Sequence, residues 1–183
     1  EATAVLGSAR TATLVWRPRV RKAKLEKVVY FCEVNTLASF EPGVVDLTHL
    51  VRFQIAQGEL KRMELTVPDG MNITAVQAKG LGTWRFDPEK HLLEAVLDKA
   101  AAGDLIMLVS SQVACKPDES GVSGSYSATI GTLGIAGASR QRGSVAVAAP
   151  DTMQVRSETT AGLNAMNIVD FSSETMTAAN FSE

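Results

Sequence analysis

Apolar and polar residues alternate through the middle of this chain, with the period of two that is typical of strands that bury one face. Val51, Phe53 and Ile55 fall on one side, and Arg52 and Gln54 fall on the other. The alternation continues, with interruptions at turn residues, as far as Cys115. The pattern predicts an all-β, mainly antiparallel fold.

Short turns divide this alternating region. Gly58 occupies the first central position of a two-residue turn, as a type II′ hairpin requires, and therefore predicts a chain reversal. Pro68-Asp69-Gly70 predicts a second turn, and "KAAAGD" (residues 99–104) predicts a later one. Counted this way, six strand candidates lie between Leu50 and Cys115. That spacing indicates an antiparallel meander from about residue 50 to residue 115 within a β-sandwich. The same meander could instead close on itself as a barrel.

One stretch of the meander also fits a helix. A helix could run from Pro88 to Ala102, because "EKHLLEAVLDKAAAG" (residues 89–103) contains good helix formers and ends with a glycine stop at Gly103. We favour a strand over Leu92–Leu97, because the strand that carries Trp84 needs a partner. A minor helix remains the alternative.

The remaining segments complete one domain. Residues 117–139 are rich in glycine and serine and predict a long loop. Strand signals return in "GSVAVAAP" and "TMQVRSE". We therefore predict a single sandwich domain over residues 1–170 and a C-terminal tail or linker over 171–183.

Composition narrows the class of partner. The 183 residues are 45% hydrophobic and carry a formal net charge of −2, which gives no global attraction to nucleic acid. The chain has no apolar run of 18 residues, so no membrane span is expected in this fragment.

The chain begins with Glu1 rather than Met, which suggests a piece of a longer or processed protein. Cys32 and Cys115 fit either one disulfide or two buried thiols.

The sequence contains no recognisable catalytic or metal-binding motif. The two histidines, His49 and His91, lie in no nucleophile motif, and "GSYSATIG" lacks the second glycine of Gly-x-Ser-x-Gly. The glycine-rich loop lacks the lysine of a phosphate-binding loop. Asp87, Glu89 and His91 surround a predicted turn, which favours a solvated turn over a zinc site. The expectation is a non-enzymatic chain with no cofactor and no metal.

Two weaker binding hypotheses rest on exposed side chains. Trp84 could stack on a sugar ring, with Glu64 and Glu94 on the solvent faces of neighbouring strands. A basic run could instead bind an anionic polymer, although a solvated edge or loop explains it as well; its members are Arg17, Arg19, Arg21, Lys22, Lys24 and Lys27.

The stretch from Val51 to Leu97 resembles β-sandwich modules of very large, uncharacterised bacterial envelope proteins. The similarity lies in a strand pair that leads to "LTVPDG", then a strand, a tryptophan strand and a hairpin return. The segments "ASRQRGSVAVAAPDTMQV" and "AGLNAMNIVDF" are similar to those that close such modules, so that the likeness spans about residues 45–171. The resemblance implies an exported structural or interaction module in the periplasm, cell envelope or extracellular space. Its partner would be a protein or a glycan, and the resemblance assigns no catalytic residue.

Overall fold

A computed structural model describes residues 27–41, 43–117, 125–157 and 162–180. In these ranges the long strands are β1 (Val29–Glu41), β2 (Val44–Thr66), β3 (Met71–Ala78), β4 (Leu81–Asp87) and β5 (Leu92–Ala114). Four later strands follow: β6 (Lys116–Pro117), β7 (Tyr126–Ser127), β8 (Gly134–Ile135) and β9 (Arg140–Ala148). A 3-10 turn spans Ile168–Asp170, and helix α1 spans Ser173–Asn180.

Seven of these strands form one hydrogen-bonded sheet. Its main path is β3-β5-β2-β1-β9, while β4 pairs with the first part of β5 and β8 pairs with the end of β2. All these pairs are antiparallel except β1 with β9. The all-β, mainly antiparallel prediction is confirmed.

The two longest strands bend together. β2 and β5 each contain 23 residues, and their register changes between Ile55 and Leu60 and again between Leu60 and Arg62. Gly58 and Gly103 lie in this irregular zone and adopt φ values of 77° and 75°. A glycine with positive φ allows a strand to bulge and bend without ending.

The hairpin predicted at Gly58 is therefore wrong, and so is the turn predicted at "KAAAGD". A type II′ hairpin also requires positive φ at Gly58, but in the structure this conformation forms a bulge instead of a chain reversal. The six strand candidates consequently become four strands, and β5 lies between β2 and β3. The strand over Leu92–Leu97 is confirmed, since it pairs with β4, and the helix alternative there is wrong.

The bend folds the sheet into two layers. Met71 and Val45 both pair with Val113, at the far end of β5 from Leu92, which pairs with Thr66. Only four residues separate Thr66 from Met71, and they span at most about 18 Å. The end of β2 must therefore lie over its own beginning, as in sandwiches whose strands pass between layers at bulges.

We call the two parts the wide layer and the narrow layer. The wide layer contains β1, β3, β9 and residues 44–55 and 103–114, and the narrow layer contains β4, β8 and residues 60–66 and 92–101. Their inner faces share one hydrophobic core. Its largest fully buried apolar side chains are Phe53, Leu47, Met63, Leu65, Leu93, Leu97, Met107 and Leu133.

The segment after β9 returns to the outer face of the wide layer. Phe171 packs there in a small buried cluster with Leu37 and Ala146. Helix α1 follows and contacts β1 and β2. The sequence from residue 171 onward, predicted as a tail or linker, thus includes a buried aromatic residue and a helix.

Candidate functional site

The outer face of the wide layer carries side chains in register across four strands. Arg140 on β9 pairs with Phe31 on β1, Phe31 pairs with Gln54 on β2, and Gln54 pairs with Asp104 on β5. Directly opposite residues of neighbouring strands point to the same face of a sheet. These four residues, which we call the crossing row, therefore extend for about 14 Å across three strand spacings.

The next row toward α1 is held by ion pairs. Arg142 donates through Nε (3.1 Å) and a terminal nitrogen (2.7 Å) to one Glu33 oxygen, and Asn35 Nδ2 donates to the other at 3.0 Å. Ser144 Oγ then donates to Asn35 Oδ1 at 2.7 Å. The hydrogen bonds from Asn35 and Arg142 lower the pKa of Glu33, so this carboxylate stays ionised at neutral pH. In the same row, Arg52 pairs with Glu174 of α1.

A groove of about 820 Å³ lies between these two rows and the beginning of α1. Phe31, Gln54, Asp104 and Arg140 line one side, and the segment from Phe171 to Glu174 lines the other. Phe31 is 39% exposed. In the described part of the chain, the side chains of the crossing row form no hydrogen bond or ion pair, either with each other or with any other residue. The groove therefore offers free polar groups beside an accessible aromatic ring.

The sequence-predicted carboxylates lie elsewhere, on the outer face of the narrow layer. Glu64 and Glu94 are directly opposite each other on β2 and β5. Arg62 bridges them, with Nε 3.2 Å from Glu64 Oε1 and a terminal nitrogen 2.5 Å from Glu94 Oε1. The guanidinium thus reduces the repulsion between two like charges that the register places side by side, and the trio keeps a net charge of −1.

Trp84 does not share a face with these carboxylates. It pairs with Ala95, whose side chain is fully buried in the core, so the tryptophan is directed toward the inner side of the narrow layer. Because β4 is an edge strand in the described sheet, Trp84 remains 38% exposed. The structure brings Glu64 and Glu94 together but leaves Trp84 apart from them.

The remaining candidates from the sequence either lie outside the described residues or occupy ordinary surface and turn positions. Arg17, Arg19, Arg21, Lys22 and Lys24 lie outside the described residues, so the anion patch stays a prediction, and Lys27 is exposed. Asp87 accepts hydrogen bonds from the backbone of Glu89 and Lys90 at 3.2 Å, as a turn residue does. Within the described ranges, no group of three or more His, Cys, Asp or Glu side chains is placed to hold a metal.

The two cysteines are far apart. Cys32 pairs with Phe53, whereas the backbone nitrogen of Cys115 donates to Gly43, near the opposite end of the wide part of β2. Ten residues of strand separate these points by about 30 Å. A disulfide requires α-carbons within about 7 Å, so these thiols do not pair with each other. Burial raises the pKa of Cys32 to about 12, which keeps its thiol protonated.

The structure also contains a histidine network that the sequence analysis missed. Thr36 Oγ1 lies 2.8 Å from His49 Nδ1, and Ser111 Oγ lies 2.9 Å from His49 Nε2. A serine bonded to a histidine is the pairing of nucleophilic catalysis, but all three residues are almost completely buried in the sandwich. Burial lowers the pKa of His49 to about 4, so the imidazole is neutral at pH 7. The network is a satisfied polar contact of the core.

Comparisons with known proteins leave the family open. No family model matches the sequence, and no curated protein matches it. One similar structure is a two-domain M1 zinc metallopeptidase mutant bound to L-tryptophan, at 10% identity and a TM-score of 0.39, over 51% of this chain and 22% of that chain. Another is an M1 zinc metallopeptidase mutant from Deinococcus radiodurans bound to a Tyr-Ser-Ala substrate, at 17% identity and a TM-score of 0.31, over 52% of this chain and 22% of that chain.

The aligned part is about a fifth of each of those metallopeptidases. At these TM-scores the similarity carries no argument about activity. Separately, none of the helices in the described part of the chain is long and apolar enough to cross a membrane.

Proposed function

We propose that this chain is a non-enzymatic structural or interaction module of a larger exported bacterial protein, and that it binds a protein or a glycan in the groove beside α1. The observation that carries the proposal is the crossing row. Its polar side chains face solvent in a concave surface and have no partners among the described residues. Sites for specific ligands combine such a concavity with a few convergent polar groups.

The surroundings of the groove support a binding role. The Arg142–Glu33–Asn35–Ser144 network fixes the row next to it, and the sheet fixes the spacing of the crossing row. Groups that are already held in place lose little conformational entropy when a partner binds. The resemblance to envelope modules over residues 45–171 supports an exported location and a scaffolding context.

The alternative is a carbohydrate-active or carbohydrate-binding domain that uses Glu64 and Glu94 on the narrow layer. Their direct opposition across β2 and β5 favours it. The shared Arg62 and the separate position of Trp84 weigh against it, because a sugar platform should lie beside the carboxylates. We therefore place the binding surface on the wide layer.

Site-specific photocrosslinking in the full-length parent protein tests the location of the groove. A benzophenone amino acid replaces Gln54 in the groove, and in a matched variant it replaces Tyr126, which is exposed outside the groove lining. We expect the crosslinker at position 54 to capture the native partner, and the crosslinker at position 126 to capture none. The same products from both positions, or products only from position 126, would contradict a groove-specific interaction.

A further inference from the structure

We propose that the crossing row binds a neutral oligosaccharide segment of a glycan. This inference rests on the proposed binding role of the groove and specifies its ligand. The four residues lie on adjacent strands and face the same side, with Phe31 and Gln54 between Arg140 and Asp104. The row is therefore a strip about 14 Å long with chemically different groups along it.

The chemistry of the strip matches that of a sugar chain. A pyranose ring has an apolar C–H face, which stacks on an aromatic ring, and a rim of hydroxyls that donate and accept hydrogen bonds. Phe31 supplies an accessible aromatic surface. Arg140 supplies donors, Asp104 supplies acceptors, and the Gln54 amide supplies both. Vicinal hydroxyls both donate and accept hydrogen bonds. They therefore satisfy this combination of donors and acceptors better than a ligand that only donates or only accepts.

The charge of the groove favours a neutral glycan over an anionic polymer. Its lining contains Arg52, Arg140 and Arg142, and also Glu33, Asp104 and Glu174. These three cations and three anions cancel at pH 7. Two of the cations are already paired with Glu33 and Glu174, and Asp104 would repel an approaching anion. The volume of about 820 Å³ lies within the range of pockets that hold small ligands.

Affinity electrophoresis against soluble neutral polysaccharides tests this inference, with β-glucan, xylan, galactomannan and dextran as probes and alginate as the anionic comparison. We expect retardation by at least one neutral polymer and none by alginate. Phe31→Ala should weaken that binding at least tenfold, and Asp104→Asn and Arg140→Met should each weaken it about three- to tenfold. Isothermal titration with oligosaccharides of the retarding polymer measures these ratios.

Ile106→Ala is the matched control, since Ile106 is exposed on the same face but lies outside the crossing row. It should bind as the wild type does, and thermal unfolding should show that all variants fold. Failure of the wild type to bind any neutral polymer would overturn the inference. Loss of binding in Trp84→Ala or Glu64→Gln, with Phe31→Ala unaffected, would also overturn it by placing the glycan at the other site.

The same variants separate this inference from the proposed function. If Phe31→Ala abolishes the photocrosslinked partner while no glycan binds, the groove is an interaction site for protein and only the glycan inference fails. If position 54 yields no groove-specific crosslink and no glycan binds, both fail.

Discussion

At the scale of single residues, the sequence predicts which strand positions face the core. It does not predict the hydrogen bonds that a polar residue makes at such a position. Val51 and Phe53 are completely buried, as their spacing indicates, and His49 precedes them on the same inner face. The spacing therefore places the imidazole in the core. It does not show that hydroxyls of Thr36 and Ser111 on two other strands meet both ring nitrogens.

This buried imidazole should make stability depend on pH. The pKa of His49 is about 4 in the folded protein and about 6.5 when unfolded, so the unfolded state binds more protons between these values. The free energy of unfolding should be fully retained above pH 6.5 and should fall by about 3 kcal/mol as the pH decreases to 4. Urea unfolding of wild type and of His49→Phe across this range measures the difference.

His91 provides the control for the histidine prediction, because it is partly exposed in a turn near Asp69. His91→Gln should keep the full pH dependence of the wild type between pH 4 and 6.5. His49→Phe should reduce that dependence even if it changes the absolute stability. An unchanged slope in His49→Phe would mean that other groups cause the acid sensitivity.

At the scale of elements, turn chemistry predicted where the backbone is unusual but not what it does there. A left-handed glycine serves both a two-residue hairpin and a bulge. At Gly58, the choice depends on β5, which bends at the same level and offers β2 a partner on both sides of the bulge. The partners on the two sides of the bulge, Gly103 for Ile55 and Ala101 for Leu60, lie more than 40 positions further along the chain, so local sequence could not reveal them.

The pairing of β9 with β1 depends on Gly143. A Cβ atom at this position would lie 1.9 Å from the carbonyl oxygen of Val34, a backbone atom that cannot rotate away. Gly143→Ala should therefore push β9 from β1 and lower the free energy of unfolding by about 1–3 kcal/mol. Urea unfolding gives the energy, and hydrogen exchange of residues 140–148 should accelerate.

Gly134→Ala is a suitable comparison, since a Cβ there would meet Thr66 at an ordinary 3.5 Å. We expect it to change stability by much less than Gly143→Ala does. Equal losses from both substitutions would argue that backbone approach at Gly143 is not what fixes β9.

At the scale of the whole molecule, the groove could not be predicted because residues that are distant in sequence form it. Arg140 joins Phe31 only through the parallel pairing of β9 with β1, and α1 supplies the opposite wall. Each of these residues looks like an ordinary exposed side chain in its own segment. The hypotheses about Trp84, Glu64 and Glu94 were based instead on the region in which apolar and polar residues alternate most clearly.

The wall formed by the C-terminal segment should depend on Phe171. Phe171→Ala removes the aromatic ring that packs on Leu37 and Ala146, so α1 should detach while the sandwich core remains folded. Hydrogen exchange and limited proteolysis should show faster opening of residues 173–180. Met176→Ala, which alters a side chain exposed on α1, should leave both rates nearly unchanged. Faster exchange throughout β2 and β5 would instead indicate that Phe171 supports the core.

The parallel pairing of β9 with β1 has a consequence for the kinetics of synthesis. Paired residues such as Phe31 and Arg140 are 109 positions apart, whereas β1 and β2 join through a tight reversal next to Gly43. The β1–β2 pair can form early on a ribosome, but the other side of β1 lacks its native partner until residue 148 emerges. At about 5–20 residues per second, this delay lasts about 5–20 s. During that interval the nascent chain presents an unpaired β1 edge, which is a site for unwanted strand pairing that a chaperone would need to protect.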